Sequence, residues 1–243
     1  MNHLLNPPVR LLELDTGRSK IHVVDDSVLP GGTKQRAAIP FLQDLQRSGY
    51  QSFCYASPPT GYAQIALARS CQAVGAECTI FAQSMEGAMS HFTRSIADLA
   101  YIELCDSLDE AEEAAAKSTA FQIPLGFDHD AYNQHLRRAI KRQWSAILQR
   151  IKPNRLWVPI GSGTLYRAFR SVVECEIVAV DVRVLPANDK RVAGISSYRT
   201  PELFRDPCEV VPPIASNAWY DAKLWRLLLE HGRDGDVWWN VAK

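Results

Sequence analysis

The chain has 243 residues, 47% apolar and 22% charged, a composition typical of a soluble globular protein of one large or two small domains. Lys plus Arg and Asp plus Glu both number 27, so the net charge is zero and no global field directs the protein to nucleic acid or a membrane. The six cysteines include no Cys-x-x-Cys pair and no Cys/His cluster. This pattern predicts reduced core cysteines, no structural metal and a cytoplasmic location.

The residues after Met1 lack the basic start and apolar core of a signal peptide, so none is expected. No apolar run reaches membrane-spanning length. Instead, short apolar runs alternate with helix-forming segments, which predicts an α/β fold with parallel sheets covered by helices. The predicted strands are Arg10–Leu14, Lys20–Val24, Ser52–Ala56, Glu77–Ala82, Ala100–Leu104, Ala120–Ile123, Arg155–Pro159, Glu176–Asp181 and Asp236–Val241.

Helices are predicted between these strands, where glycine, proline or a polar cap marks their ends. The segment Leu185–Pro213 contains five prolines and is predicted to be irregular. The predicted helices run from the turn Pro30-Gly31-Gly32 to near Gly49, over Tyr62–Val74, from Gly87 to about Asp98, onward from a cap at Asp106 or Ser107, and over Asp130–Ile151, Leu165–Val172 and Asn217–His231.

The turn Pro30-Gly31-Gly32 places Lys34 on the first turn of the first predicted helix. Glycines let the backbone approach a ligand closely. A lysine held at a helix start, away from bulk water, can lose its proton and act as a nucleophilic amine. A solvated lysine at a helix start is the alternative.

The segment Gly161-Ser162-Gly163-Thr164 joins a predicted strand to a predicted helix. Its N–H groups, its two hydroxyls and the helix dipole would favour a phosphate, and a simple tight turn is the alternative. The segment lacks the Gly-Lys-Ser/Thr of a nucleotide P-loop and the full dinucleotide fingerprint. A phosphate site combined with an isolated lysine is what pyridoxal 5′-phosphate (PLP) requires.

The segment Gly31–Arg36 resembles the Gly-Asn-Lys-x-Arg sequence around the aldimine lysine of fold-type II PLP enzymes. The nearest branch is that of 1-aminocyclopropane-1-carboxylate (ACC) deaminase and D-cysteine desulfhydrase. Further segments are similar to family motifs in the family's order, namely Ser57–Gly61, Ala120–Gly126, Val158–Thr164, Trp219–Lys223 and Asp236–Asn240.

The resemblance implies a two-domain fold like that of tryptophan synthase β, with a small domain at 48–124 inserted in a larger one of 1–47 plus 125–243. PLP would lie in the cleft between the domains. The implied activity is that of a lyase or deaminase acting at Cα of a small amino-acid-like substrate, through a carbanion, in a homodimer.

The resemblance also implies roles for individual residues. Lys34 would carry the aldimine and move the substrate's α-proton. Ser57 would contact the substrate carboxylate or take part in proton transfer, and Thr60 would bind the same carboxylate. A turn serine and a helix N-cap are the respective alternatives.

In the second half of the chain, Gly161, Ser162, Gly163 and Thr164 would hold the phosphate. Tyr220 matches a tyrosine that faces the substrate or the cofactor ring; an aromatic residue in the core is its alternative. Asp221 matches a glutamate near the pyridine nitrogen, where a carboxylate keeps that nitrogen protonated. An exposed carboxylate at a helix N-terminus is its alternative.

The sequence departs from the family pattern in three places. Pro58 and Pro59 occupy the positions where the family has an asparagine for the ring oxygen, and proline offers no N–H. Asn240–Ala242 replaces a closing His-Thr-Gly, and the chain is shorter between Gly126 and Tyr220. Two alternatives therefore stay open: decarboxylation or other Cα chemistry on a bulky conjugate, including one linked to nucleic acid, and a catalytically degenerate scaffold.

The longest predicted helix carries a basic cluster, Arg137, Arg138, Lys141 and Arg142. The sequence alone favours a solvated helix face over a nucleic-acid contact, since charge clusters on a helix are usually solvated.

Overall fold

The computed structural model describes residues 6–243. The expectation about a signal peptide concerns the residues directly after Met1, and residues 1–5 lie outside the described part of the chain. In chain order the strands are β1 (Leu11–Asp15), β2 (Lys20–Asp25), β3 (Ser52–Ser57), β4 (Glu77–Gln83), β5 (Tyr101–Cys105), β6 (Phe121–Gln122), β7 (Arg155–Ile160), β8 (Glu176–Asp181), β9 (Ser197–Arg199) and β10 (Val237–Asn240). The helices are α1 (Gly32–Arg47), α2 (Ala63–Val74), α3 (His91–Arg94), α4 (Leu108–Lys117), α5 (Asp130–Leu148), α6 (Thr164–Arg170) and α7 (Leu224–His231).

The chain forms two compact units, and the predicted α/β class with parallel sheets is confirmed. The first unit consists of Lys34–His135 together with Asn6, and the second of Pro7–Thr33 and Leu136–Lys243. Helices α1 and α5 each begin in one unit and end in the other. The domain limits expected from the sequence, 48–124 within 1–47 plus 125–243, stay a prediction.

The first unit contains a four-stranded parallel sheet in the order β5-β4-β3-β6. Its central strand β3 is almost completely buried, as expected for a parallel strand covered on both faces. Helix α2 follows β3 and ends at Gly75, whose φ of 67° is the left-handed conformation that closes many helices. These elements place the loop 58–62 at the carboxyl end of β3.

The second unit contains a six-stranded sheet in the order β1-β2-β10-β7-β8-β9. Only the β1–β2 pair is antiparallel. Its core combines strand side chains such as Trp157, Val180 and Trp238 with Leu224 and Leu228 of α7. β2 therefore leads into the segment before Lys34, and β7 leads into the glycine-rich loop. β10 leads into the last residues of the sequence.

A buried ion pair joins the start of β7 to the start of β10. The Arg155 guanidinium donates to both oxygens of Asp236, at 3.0 and 2.6 Å, and the Trp157 indole donates to the same carboxylate at 2.8 Å. A buried carboxylate is costly unless it is paired and hydrogen-bonded. These three donors meet that requirement and fix β10 beside β7.

Three predicted elements differ from the structure. The helix predicted between Gly87 and Asp98 is only the short α3, and the helix predicted over Asn217–His231 is replaced by a 3₁₀ turn, Asp221–Lys223, followed by α7. The segment predicted to be irregular contains the exposed strand β9. These short elements depend on tertiary contacts, which local sequence patterns do not report.

Within residues 6–243, no helix is both long and apolar enough to cross a membrane. No group of three or more His, Cys, Asp or Glu side chains in the described part of the chain is placed to hold a metal ion.

Candidate active site

Lys34 lies in the first turn of α1 and is half-buried. The residue before it, Thr33, is fixed by three hydrogen bonds. Its N–H donates to the Val241 carbonyl at 2.9 Å, its hydroxyl donates to Asp26 at 2.8 Å, and its hydroxyl oxygen accepts the Trp239 indole N–H at 3.0 Å. The side chains of Asp26, Thr33 and Trp239 are buried, so the backbone that leads into Lys34 is held by a dry polar network.

Asn240 occupies the place of the histidine in the family's closing motif. Its amide donates to the Asp25 carboxylate at 3.1 Å and to the Ala215 carbonyl at 2.8 Å, and its oxygen accepts from Ser216 at 2.8 Å. All the hydrogen bonds described for Asn240 go to the second unit's own backbone and side chains. Asn240 therefore connects β10 to β2 and to the segment before Tyr220.

The loop Gly161–Thr164 joins the carboxyl end of β7 to α6. Gly163 has a φ of 79°, in the left-handed region that favours glycine. A Cβ on Gly163 would also lie only 2.8 Å from both the Arg167 guanidinium and the Arg191 carbonyl. A Cβ on Gly161 would lie 3.1 Å from the Tyr220 and Val184 side chains, which would have to move by a few tenths of an ångström.

Several hydrogen-bond donors lie at this loop. The Ser162 and Thr164 hydroxyls lie 3.1 Å apart, and within residues 6–243 the N–H groups of Ser162 and Gly163 donate to no other residue. Arg167 folds back from α6, with Nη1 3.4 Å from the Ser162 carbonyl and Nη2 3.4 Å from the Thr164 hydroxyl. Backbone N–H groups, two hydroxyls and a guanidinium match the chemistry of a phosphate, so the loop fits the phosphate of PLP.

Sequence reasoning did not single out Arg167. It lies three residues after Thr164, and side chains at this spacing lie on the same face of a helix, so that spacing was an available signal.

Tyr220 lies against the glycine-rich loop, with its hydroxyl and ring edge next to Gly161. Burial raises its pKa well above the usual range, Asp221 and Asp181 raise it further, and the Gly161 N–H acts in the opposite direction. The phenol therefore stays neutral at physiological pH. The structure places Tyr220 before α7 and against the loop, in the same unit as the predicted phosphate ligands.

Asp221 is completely buried and accepts a hydrogen bond from the Ala242 N–H at 3.0 Å. The alternative of an exposed carboxylate at a helix N-terminus is therefore wrong. The Asp221 carboxylate lies in the protein interior, where a charge interacts strongly with a neighbouring charged group such as a protonated ring nitrogen.

The loop after β3 contains the predicted residues Ser57 and Thr60, both buried. The Ser57 hydroxyl donates to the Pro58 carbonyl at 2.9 Å. Thr60 is not the N-cap of α2, because Tyr62 holds that position and no side chain caps the helix. The N-cap alternative for Thr60 is therefore wrong.

The carbonyls of Pro58 and Pro59 accept hydrogen bonds from the first unit's own backbone and side chains. Pro58 accepts from the Gly61 N–H at 3.0 Å, and Pro59 accepts from the Ser90 hydroxyl at 2.6 Å. Gln64 donates to the Gly61 carbonyl at 3.1 Å and accepts from Thr93 at 3.0 Å. The loop is thus well ordered, yet the two prolines give it no donor for a ring oxygen.

The predicted residues fall into two groups. Lys34, Ser57 and Thr60 belong to the first unit, while Gly161–Thr164, Tyr220 and Asp221 belong to the second. Within the second unit the structure places Tyr220 directly on the loop predicted to bind phosphate.

Among solved structures, an ACC deaminase homologue matches with a TM-score of 0.78 and 14% identity, over 98% of this chain and 90% of that chain. O-ureido-L-serine synthase matches with a TM-score of 0.71 and 18% identity, over 95% and 87%. Diaminopropionate ammonia lyase from Escherichia coli, solved with an aminoacrylate–PLP azomethine intermediate, matches with a TM-score of 0.64 and 13% identity, over 97% and 84%.

The chain has the fold of fold-type II PLP enzymes. The fold expected from the sequence motifs is therefore confirmed. No family model and no curated protein sequence matches this chain. At these levels of identity the structural likeness establishes the fold, and the chemistry has to be argued from the residues.

Proposed function

We propose that the protein is a PLP-dependent enzyme that acts at Cα of an amino acid or amino-acid-like substrate, by elimination or deamination. The observation that carries this proposal is the donor-rich loop Gly161–Thr164 at the carboxyl end of β7, with Tyr220 packed on it. One protein of the same fold is an ammonia lyase solved with a PLP-bound intermediate. Lys34 supplies the amine that this class of enzyme needs.

The chemistry of the residues present suits three of the cofactor's four anchoring points. Gly161–Thr164 would hold the phosphate, Lys34 would hold the aldehyde carbon, and Asp221 would hold the protonated ring nitrogen. Pro58 and Pro59 leave the ring oxygen without a donor from their loop. When bound, PLP supplies an electron sink that stabilises negative charge at the substrate Cα.

The chain's own residues would perform the remaining steps. Thr60 offers an N–H and a hydroxyl to the substrate carboxylate. The Lys34 amine, released when substrate binds, would take the α-proton as a general base. Tyr220, kept neutral by burial, would donate a hydrogen bond without adding charge. The Ser57 hydroxyl proton is directed at Pro58, so Ser57 would orient its loop.

A spectrum of the freshly purified protein, followed by borohydride reduction and peptide mapping, tests the proposal. We expect a visible absorbance band and, after reduction, a PLP adduct on Lys34. In Lys34→Ala both should be absent, whereas Lys20→Ala, which changes an exposed lysine, should retain both. An adduct on another lysine, or none after incubation with PLP, would contradict the proposal.

A catalytically degenerate scaffold is the second candidate, and the Pro58-Pro59 loop favours it. This loop has lost two backbone donors and uses the Ser57 hydroxyl internally. A cofactor-free scaffold predicts that Lys34→Ala and the wild type share the same spectrum and the same thermal stability in the presence of PLP. An increase in melting temperature with PLP that depends on Lys34 excludes the cofactor-free scaffold, and a cofactor-binding scaffold predicts the same increase without turnover of any amino acid.

Three further features belong to this proposal. Homodimer formation and domain limits near 48–124 follow from the resemblance to the family. A cytoplasmic location is supported by the six cysteines, all free and five of them buried. Sedimentation of the purified protein would test the dimer.

A further inference from the structure

The two signs of charge are segregated along this neutral chain. Between Asp130 and Glu174 there is no Asp or Glu, while nine Lys or Arg occur. The opposite bias occurs between Arg94 and Lys117, where seven acidic residues and no basic residue are found. Such segregation gives local fields that the zero net charge conceals.

Helix α5 presents the largest group of these cations. Arg137, Arg138, Lys141 and Arg142 are all exposed, and exposed Arg150 and Lys152 follow just beyond its end. We call these six residues the basic face; all belong to the second unit. At about 100° per residue, the four helical cations cover an arc of about 140°.

None of the six has an ion-pair partner within residues 6–243. Other surface cations do have partners: Arg47 pairs with Asp44, and Arg226 with Glu209. The four like charges on the helix lie at spacings of one, three, four and five residues and repel one another, and nothing in the fold requires that arrangement. Binding of an external anion would neutralise these positive charges directly.

The opposite side of α5 is used by the protein's own core. Leu136, Ile140, Trp144 and Ile147 are each no more than 4% exposed. The helix therefore has no free apolar side to insert into a bilayer, as membrane-surface helices do. Leu148 is the one large apolar side chain exposed on the described helix, too little for the apolar centre typical of protein interfaces.

We propose that the basic face binds the phosphate backbone of a nucleic acid, independently of sequence. The helical cations are spread over an arc and along about one and a half turns, so one phosphate cannot reach them all, whereas a chain of phosphates can. Arg predominates, and its planar guanidinium matches phosphate oxygens well. The proposal is independent of the PLP chemistry, because no residue of the basic face belongs to the candidate active site.

Fluorescence anisotropy with a short labelled DNA duplex of arbitrary sequence, from about 50 to about 200 mM NaCl, tests the proposal. Four helical cations predict a slope of log K against log salt of about −3 to −4. Arg137→Gln with Arg138→Gln should make that slope shallower by about 2 and weaken binding at least about tenfold at low salt. Arg94→Gln with Lys117→Gln, which removes two exposed cations of the first unit, should leave both unchanged.

Several results would overturn the proposal. One is a wild-type slope shallower than about −1. Another is equal loss of binding in the two double variants. Binding to phosphatidylserine vesicles that is tighter than to DNA and lost in Arg137→Gln with Arg138→Gln would assign the face to a membrane surface. Salt-sensitive self-association lost in the same variant would assign it to the acidic helix α4 of a second copy.

Discussion

Two loops of this protein have the same place in the topology and opposite chemistry. The loop 58–62 follows β3 and the loop Gly161–Thr164 follows β7, and each joins a buried parallel strand to a helix. In the first, serine and glutamine side chains satisfy the proline and glycine carbonyls, and two prolines remove backbone donors. In the second, the N–H groups of Ser162 and Gly163 donate to no other residue within 6–243, and two hydroxyls and the Arg167 guanidinium lie beside them. The topology thus indicates where a ligand can bind. The hydrogen-bond donors that each loop offers decide which of the two loops can bind an anion.

Gly163→Val should give the largest effect, since it attacks the donor-rich loop directly. Valine at this position would have to adopt a φ of 79°, which is unfavourable for a β-branched residue. Its side chain would also collide with Arg167 and the Arg191 carbonyl. We expect PLP affinity to fall by at least about 100-fold, roughly 2.7 kcal/mol. Equilibrium titration with PLP measures this, and Gly87→Ala, at a glycine of φ 78° with open space around it, is the matched control.

Ser90→Ala tests the loop 58–62, where we expect a change in stability and little change in PLP affinity. It removes the 2.6 Å hydrogen bond to Pro59 and the cap that Ser90 gives to the Thr93 N–H. We expect a loss of about 2 kcal/mol in unfolding free energy, because a partly buried carbonyl loses its partner and a helix loses its cap. Urea denaturation measures it. PLP affinity lowered as strongly as by Gly163→Val would break the distinction between the two loops.

Thr164→Val keeps the shape of the second loop and removes one hydroxyl. If that hydroxyl contacts the phosphate, PLP affinity should fall about tenfold, roughly 1.4 kcal/mol, with little change in stability. Thr79→Val, at a half-buried threonine in β4, provides the comparison. Unchanged affinity in Thr164→Val would remove the hydroxyl from the proposed phosphate site.

Tyr220→Phe should give the smallest effect on the free energy of unfolding, and that effect should be visible only at alkaline pH. The folded state raises the pKa of Tyr220 above its usual 10.0, so the unfolded chain ionises first and stability falls as pH rises past that value. At about pH 10.5 the wild type should have lost about 0.8 kcal/mol more than Tyr220→Phe, relative to pH 8. Parallel urea titrations of both proteins provide the measurement. Identical pH profiles would mean that Tyr220 is solvated and does not pack on Gly161.

The sequence predicts most of what local patterns determine. Buried strands such as β3 and β7 are marked by apolar runs, and the loops after them by glycine and proline, so the positions of Lys34 and Gly161–Thr164 in the topology could be predicted. The Ser90–Pro59 bond joins residues 31 apart, and the Arg155–Asp236 pair joins residues 81 apart. No local pattern reports such contacts. The fold was predictable because local patterns mark its strands and helices. The hydrogen bond that Ser90 donates in the first loop was not predictable, because it joins residues far apart in the chain.

The hydrogen bonds around Thr33 have a kinetic consequence. The turn that precedes Lys34 is fixed by Trp239 and Val241, and the Trp239 contact spans 206 positions of the chain. Contacts of such long range form only after a large entropic loss of loop closure. We therefore expect the Thr33 amide to become protected from hydrogen exchange late during refolding, after the helix interior around Phe41. Pulse labelling that finds Thr33 protected first would show that this turn forms before the last strand docks.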